Sequence, residues 1–183
     1  MPPPGIALYF IALLPPPDIQ AQLQSFKEYF YTAYQSKGAL NAPPHITLHM
    51  PFQWKEAKEN KLIESLKNFS TGNKSFEIQL QDFNCFAPRV IFAQVIESEI
   101  LRLLQQQLHR FVKIELNLFN AQYRDKPFHP HITLAFRDLK KDKFEIAWQE
   151  FKSKKYTEKF DVNGITLLKH DGKVWIPYAN FDF

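Results

Sequence analysis

Cysteine is almost absent from this chain, since Cys85 is the only one among 183 residues. No disulfide can therefore form within the chain, and a zinc site built from four cysteines is excluded. This composition predicts a reducing, cytoplasmic setting. Phe83 and Phe86 flank Cys85, which indicates a packed position for the thiol rather than a nucleophilic one.

Glycine and long apolar runs are also scarce. The chain has five glycines and no long polar tract, which argues against extensive disorder. The apolar run over residues 5–14 is short, lacks a preceding basic region and leads into three prolines. It predicts a first strand, and neither a signal peptide nor a membrane span. No H-E-x-x-H order occurs either, so a helical zinc-hydrolase motif is missing.

Charge of one sign is not in large excess. The formal net charge is +4 and the pI is near 9.0, which is compatible with a phosphate-bearing substrate but typical of many other proteins too. Hydrophobic residues make up 45% of the chain and phenylalanine alone counts 18, enough for a core. Without a linker or a break in composition, residues 1–183 are expected to form a single domain.

What the chain does contain is one pentapeptide in two copies, Pro-His-Ile-Thr-Leu at residues 44–48 and again at 130–134. The residue before a proline avoids the helical region, and β-branched residues favour strands, so both copies are predicted strands. Alternation then places His45 with Thr47 on one face of the first strand, and His131 with Thr133 on one face of the second. Each face would present an imidazole and a hydroxyl to a groove, while Ile and Leu anchor the strand in the core.

The remaining pattern is a strand–helix–motif strand–helix–strand order that occurs twice. Asp18 is the expected N-cap of the first helix, Pro51 the expected end of the first motif strand, and Asp171-Gly172 the expected hairpin turn. The predicted strands are at 6–14, 45–51, 76–81, 90–96, 128–136, 165–170 and 173–178. The predicted helices are at 18–36, 55–68, 97–116 and 142–154, and loops are predicted at 41–44 and 117–127.

These residues resemble the 2H phosphoesterases, and within them the LigT-like group of 2′,5′-RNA ligase and cyclic phosphodiesterase proteins. That family is marked by two His-x-Thr/Ser motifs, one in each half of the chain. The flanking stretches also resemble the family, and the likeness covers nearly the whole chain. These stretches are Ala42-Pro43-Pro44, Phe128-His129-Pro130, Leu134-Ala135-Phe136-Arg137, the strand from Tyr9 to Leu13, and Pro88 to Phe92.

The resemblance implies an α+β, bilobal fold, with two pseudo-repeated lobes, antiparallel sheets around a central groove and helices on the outside. It implies a monomer that acts on 2′,3′-cyclic phosphates or related RNA and nucleotide phosphodiesters, with possible reversal to 2′,5′ ligation. His45 and His131 would be the general acid and base, and Thr47 and Thr133 would donate to the non-bridging oxygens. No cofactor, metal or membrane partner is implied.

Further residues near the motifs are weaker candidates for substrate binding. Phe52 and Phe92 are each close to a motif and are predicted to stack on a base, and Arg137 is predicted to add positive charge. His49 and His129 share strand parity with the motif histidines and are therefore expected near the groove. His109 and His170 fall in a predicted helix and hairpin and are expected at the surface.

Two other function classes remain open from the sequence. A metal hydrolase could use His45 and His49 as a ligand pair, but their four-residue spacing suits a helix and the prolines predict a strand. An RNA- or nucleotide-binding module without turnover is compatible with the basic pI and the aromatic content. Chelation separates the first from a metal-free enzyme, and a turnover assay separates the second.

Overall fold

Strands and helices alternate along the chain in the computed structural model, which describes residues 2–119 and 127–183. The strands in these ranges are β1 (Ile6–Leu13), β2 (Ile46–Lys55), β3 (Phe76–Phe86), β4 (Val90–Val95), β5 (His131–Ala135), β6 (Thr157–Val162), β7 (Gly164–His170) and β8 (Trp175–Asp182). The α-helices are α1 (Pro17–Tyr34), α2 (Glu59–Ser70), α3 (Glu99–Leu116) and α4 (Lys141–Phe151), and 3₁₀ turns span Gly38–Asn41 and Glu56–Lys58.

The strands form one eight-stranded antiparallel sheet in the order β6-β3-β4-β5-β2-β1-β7-β8. The two motif strands, β2 and β5, lie at its centre and share a single register pair, Ile46 with Ile132. The predicted α+β class with antiparallel strands around a groove is confirmed. The sheets of the two lobes are joined at this pair. One lobe contains β2, β1, β7 and β8, and the other contains β5, β4, β3 and β6, so each lobe takes strands from both halves of the chain.

One cluster of buried side chains joins all four α-helices to one face of the sheet. Tyr9 and Ile11 of β1 belong to this cluster. Phe10 and Ala12 alternate with them and pack on the opposite face, beside Leu168 of β7. The sheet therefore has a helix-covered face and a second face that carries its own aromatic side chains.

The helix ends differ in part from those predicted. The N-cap of α1 is Pro16, which makes no side-chain bond, so the predicted Asp18 cap is wrong. Asp18 lies instead in the first turn, where a carboxylate favours the helix dipole. In α3, Ser98 is the N-cap and accepts a hydrogen bond from the backbone N–H of Leu101. Gln35 ends α1 in the left-handed conformation with φ of 61°.

The prediction that Pro51 ends the first motif strand is wrong, since β2 continues to Lys55. Ile11 pairs with His49 and Tyr9 pairs with Phe52, so β2 has an extra residue within this interval. Pro51 lies in that interval, and a bulge is a place where a strand tolerates a proline.

The other boundaries are shorter or longer than predicted by a few residues. The predicted second motif strand shortens to β5, and the predicted strand at 76–81 extends through Phe86. The hairpin at Asp171-Gly172 is confirmed, because β7 and β8 pair down to His170 and Trp175. Most of the predicted loop at 117–127 lies outside the described residues. No helix in the described ranges has the length and apolar character needed to cross a membrane.

Candidate active site

The two motif histidines line one cavity of about 480 Å³. Thr47 and Thr133 line the same cavity, and so does Arg137. The histidines and threonines are partly buried, whereas Arg137 is exposed. The structure therefore brings together the two His-x-Thr units that the sequence separates by nearly half its length.

Each motif contains a β-bulge directly after its threonine. Ala12 pairs with Thr47 and Ile11 pairs with His49, so Leu48 is an extra residue in β2. Phe92 pairs with Thr133 and Ile91 pairs with Ala135, so Leu134 is the extra residue in β5. The leucine of the repeated pentapeptide is thus the bulged residue in both copies. A bulge bends the strand and re-aims the side chains beside it, and here it is repeated with the motif.

Both motif histidines make the same local hydrogen bond. The Nδ1–H of His45 donates to the carbonyl of Pro43 at 2.7 Å, and the Nδ1–H of His131 donates to the carbonyl of His129 at 2.7 Å. A carbonyl can only accept, so the neutral ring carries its proton on Nδ1. Nε2 is then the atom that has a lone pair for proton transfer in each imidazole.

Burial weakens the basicity of both rings. It lowers the pKa of His45 to about 4, and the positive charges of Lys27 and His131 contribute in the same direction. Burial also lowers the pKa of His131 below its ordinary value, with His129 adding to the effect. At neutral pH both imidazoles are therefore mostly neutral, the form required of a general base.

An aromatic pair supports each imidazole. The ring of His45 lies 4.8 Å from that of Phe10, which packs edge-on against Trp175 at 4.8 Å. His131 lies 4.9 Å from Phe92, which contacts Phe86 at 4.6 Å. These contacts hold the rings in place and exclude water from one side of each.

The predicted stacking roles of Phe52 and Phe92 are wrong in this structure. Phe92 lies next to His131, but its ring is 0% exposed and no face is open to a base. Phe52 pairs with Tyr9 and stacks on it at 6.0 Å, on the helix-covered side of the sheet. Phe86 and Trp175 line the cavity instead, with Phe86 41% exposed.

Three expectations for the other histidines are corrected as well. The bulge at Leu48 reverses the parity of β2, so His49 lies opposite Ile11 in the core, is 2% exposed and does not line the cavity. His109 is not a surface residue, because it lines the cavity and donates from Nε2 to the carbonyl of Leu48 at 2.9 Å. His170 also lines the cavity, beside Trp175 at 5.0 Å. His129 lines it as expected.

One cavity residue that sequence reasoning missed is Lys27. It lies in the buried row of α1, among Ile19, Leu23 and Phe30, and is 2% exposed. The signal was present in the sequence, because a lysine at the spacing of an apolar helix face is unusual and needs a polar partner.

The sequence that carries these two His-x-Thr units matches the model of a known protein family. The model of the 2′-5′ RNA ligase superfamily matches residues 15–174, which include both His-x-Thr units. The chain belongs to this superfamily. The resemblance to 2H phosphoesterases that the motifs indicate is thereby confirmed, and the family indicates a phosphodiesterase.

Other proteins are similar to this chain over nearly its full length. A protein of Oceanobacillus iheyensis with the provisional name phosphoesterase is 27% identical over 180 residues, covering 94% of this chain and 96% of the relative. TT0787 of Thermus thermophilus superposes with a TM-score of 0.69 at 22% identity, covering 96% of this chain and 97% of its own. LigT of Escherichia coli, solved in complex with 3′-AMP, superposes with a TM-score of 0.68 at 19% identity, covering 97% and 98%.

The described side chains were searched for a group that could bind a metal ion. Within residues 2–119 and 127–183, no group of three or more His, Cys, Asp or Glu side chains converges as metal ligands would. The donors that this superfamily member does place together in the cavity are imidazoles, hydroxyls and cations. Such a set suits the recognition of an anion.

Proposed function

We propose that this protein is a metal-independent phosphodiesterase that hydrolyses 2′,3′-cyclic phosphates or related RNA and nucleotide phosphodiesters. His45 and His131 act as its paired general acid and base. One observation carries the proposal: two identical His-x-Thr units line one cavity, and both imidazoles donate from Nδ1 to a carbonyl. In-line displacement at phosphorus needs one group that accepts a proton and one that donates a proton. The paired units supply both.

The chemical step follows from the two imidazoles. Nε2 of one neutral histidine accepts a proton from water as the water oxygen bonds to phosphorus. The bond from phosphorus to the ribose 3′ oxygen breaks, and Nε2–H of the other histidine, in its imidazolium form, donates a proton to that oxygen. The product is a 2′-phosphate. The histidine that acted as base has gained the proton of the water and the histidine that acted as acid has lost its own, so the two rings have exchanged protonation states.

Burial makes the acid role depend on substrate. Because the pKa of each imidazole is lowered in the empty cavity, the ring that acts as acid needs a nearby negative charge to hold its proton. The phosphate anion supplies that charge when it binds. Thr47 and Thr133 line the cavity beside the imidazoles and donate hydrogen bonds to the non-bridging oxygens.

The same site also runs in the opposite direction if a nucleotide hydroxyl replaces water. A hydroxyl attacking a 2′,3′-cyclic phosphate would then join two RNA ends through a 2′,5′ linkage. Support for a nucleotide substrate comes from LigT of Escherichia coli, which was solved in complex with 3′-AMP. The exposed Arg137 at the cavity and the net charge of +4 are compatible with a nucleic-acid strand that extends from it.

The experiment is a turnover assay with native protein, His45→Ala, His131→Ala and the double variant in buffer that contains EDTA. The panel contains the four nucleoside 2′,3′-cyclic phosphates, RNA ending in a cyclic phosphate, ADP-ribose cyclic phosphate and 2′,5′-linked dinucleotides. Chromatography distinguishes 2′- from 3′-monophosphates and detects ligation when 5′-hydroxyl RNA is added.

The expected result is turnover by the native protein in EDTA, with 2′-phosphate as the product. Each single variant should lose about 10²- to 10⁴-fold in kcat, the usual range for a lost acid or base. The double variant should lose little more than the worse single one, since the two groups act together. If His131→Ala keeps near-normal turnover of every substrate that the native protein cleaves, the paired mechanism is wrong.

A further inference from the structure

Lys27 is a buried cation with an unusual set of partners. Its Nζ donates to the carbonyl of Ala39 at 3.1 Å and to the carbonyl of Ala42 at 2.9 Å. The side chain is 2% exposed. Lys27 is in none of the ion pairs within the described residues. A buried lysine without a carboxylate is costly and rare.

The two carbonyls leave the ammonium incompletely satisfied. An ammonium has three N–H donors and two of them are used here. Lys27 also lines the cavity that contains the two histidines. It is close enough to His45 for its positive charge to lower the pKa of that ring. The third N–H of Lys27 and its positive charge are therefore available at the cavity in which a substrate anion would bind.

We propose that Lys27 binds the phosphate group of the substrate, as a cation that α1 contributes from beneath the loop leading to His45. This inference rests on the proposed function for its substrate class and adds a binding residue to the same cavity. The phosphate supplies the negative charge that Lys27 lacks, and Lys27 donates a hydrogen bond to a phosphate oxygen.

The second half of the chain does not duplicate this group. When α1 is aligned with α3 so that its buried residues Ile19, Phe30 and Tyr34 match buried residues of α3, Lys27 matches His109. His109 also lines the cavity, but its Nε2–H donates to the carbonyl of Leu48. The cavity is therefore symmetric in its His-x-Thr units and asymmetric in its buried cation, so the phosphate is held from the α1 side.

Burial gives the proposal a measurable consequence. It lowers the pKa of Lys27 to about 7, so at pH 8 the amine is mostly neutral in the empty protein. An anion beside the amine favours its charged form and raises the pKa again. Phosphate binding at pH 8 should therefore be accompanied by proton uptake, up to about one proton per phosphate.

The experiment titrates inorganic phosphate into native protein and into Lys27→Met by calorimetry. Titration at pH 7 gives the affinity, and titration at pH 8 in two buffers of different ionisation enthalpy gives the proton uptake. Lys61→Met is the matched control, since Lys61 is exposed on α2, lies outside the cavity and carries the same charge. Lys27→Gln is a second variant, which keeps amide donors for the two carbonyls without the charge.

The expected result is a phosphate Kd that rises about ten- to a hundredfold in Lys27→Met and Lys27→Gln, the range for a lost charged hydrogen bond. Both should take up less proton per phosphate than the native protein and Lys61→Met, because the share that belongs to the Lys27 amine is removed. Unchanged affinity and uptake in the Lys27 variants would overturn the proposal, and so would a native protein that binds no phosphate. If neither Lys27 variant folds, the Lys27 side-chain resonance of the native protein at pH 8 decides, because only a phosphate contact shifts it toward the charged form.

The outcome is independent of the test of function. Cyclic-phosphate turnover with phosphate affinity unaffected by Lys27→Met would retain the proposed function and reject the role of Lys27. Phosphate binding that depends on Lys27, without turnover of any cyclic phosphate, would retain the role of Lys27 and reject the proposed hydrolysis.

Discussion

At the scale of single residues, the surroundings of an imidazole decide what it can do. His45 directly precedes β2 and His49 lies within it, yet His45 lines the cavity while His49 is packed in the core against the His109 ring at 5.1 Å. Both have a pKa lowered to about 4, chiefly by burial. A perturbed pKa alone therefore does not mark the reactive residue, and the cavity separates the two cases.

The pH dependence of kcat/KM should reveal the lowered basicity of His45 and His131. The base must be neutral, so activity rises with pH through the pKa of that ring. The acid must be protonated, so activity falls as pH rises above the pKa of the other ring. Because burial lowers both, the optimum of kcat/KM should lie below the ordinary imidazole value of about 6.5. Initial rates with a cyclic phosphate between pH 4 and 9 measure this, and an optimum well above pH 7 contradicts it.

The threonines should contribute less than the histidines. Thr47→Val and Thr133→Val each remove one hydroxyl beside the proposed phosphate position while keeping the shape of the side chain. Each should reduce kcat by up to about 10²-fold, the lower end for a lost oxyanion donor. Thr47→Ser and Thr133→Ser are the matched controls and should retain most activity, because the hydroxyl remains. Equal losses in the Val and Ser variants would show that packing, not the hydroxyl, matters.

At the scale of elements, the loop between α1 and β2 is bound on two sides. From one side, Lys27 donates to the carbonyls of Ala39 and Ala42. From the other, the Asp138 carboxylate accepts from the hydroxyl of Ser36 and from the backbone N–H of Lys37 and Gly38. This loop leads directly into the first motif, so its anchoring places His45.

Gly38 lets the Asp138 segment approach this loop closely. A Cβ at position 38 would lie 3.1 Å from the Asp138 Oδ1 and 3.1 Å from the carbonyl oxygen of Phe136. Gly38 and Arg137 both line the cavity, so the contact joins the loop before the first motif to the segment after the second.

Asp138→Ala should loosen this anchoring. Loss of three hydrogen bonds at an exposed carboxylate should lower the free energy of unfolding by about 1–2 kcal/mol. The kcat/KM should fall as well, since the loop lines the cavity. Urea unfolding and cyclic-phosphate kinetics measure the two effects. Asp161→Ala, at an exposed position of β6, is the control; if Asp138→Ala matches it in both measurements, the loop does not depend on the carboxylate.

At the scale of the whole molecule, the cavity exists because the sheet is nearly divided at its centre. The two motif strands meet at Ile46 and Ile132, which are both fully buried in the same core cluster. Beyond that pair, β2 is bonded to β1 and β5 to β4. The seam holds the two lobes in one sheet and leaves room beside it for a substrate.

Burying several histidines makes the whole fold sensitive to acid. Their pKa values in the native state lie below about 6.5, their ordinary value, so the unfolded chain binds more protons below that pH. The stabilisation is fully present above pH 6.5 and is lost as pH falls toward 4, where His45 and His49 titrate. The free energy of unfolding should fall by a few kcal/mol over this window, on the order expected for two such groups.

Urea unfolding at pH 7 and pH 5 tests this dependence. His49→Gln should show a smaller loss of stability between the two pH values than the native protein, because position 49 no longer titrates. His49 is a suitable site, since its Nε2 has no hydrogen-bond partner within the described residues and it lies outside the cavity. Equal losses of unfolding free energy in the two proteins would show that His49 does not contribute to the acid sensitivity.

Local patterns in the sequence by themselves determined the family and most of the elements, and they indicated the candidate catalytic residues. The two Pro-His-Ile-Thr-Leu copies identified the catalytic candidates, and the apolar spacing placed the helices to within a few residues. These succeed because strand preference, helix periodicity and turn chemistry depend on neighbours in the chain.

Only the tertiary structure decided which side chains reach the cavity. The bulge at Leu48 exists in the register between β1 and β2, and it moved His49 into the core. Phe92 is closed off by its packing with Phe86 and His131. Lys27 is held at the cavity because its ammonium donates to the carbonyls of Ala39 and Ala42, in the loop that follows α1. Each depends on contacts between segments far apart in the chain, which no local pattern specifies.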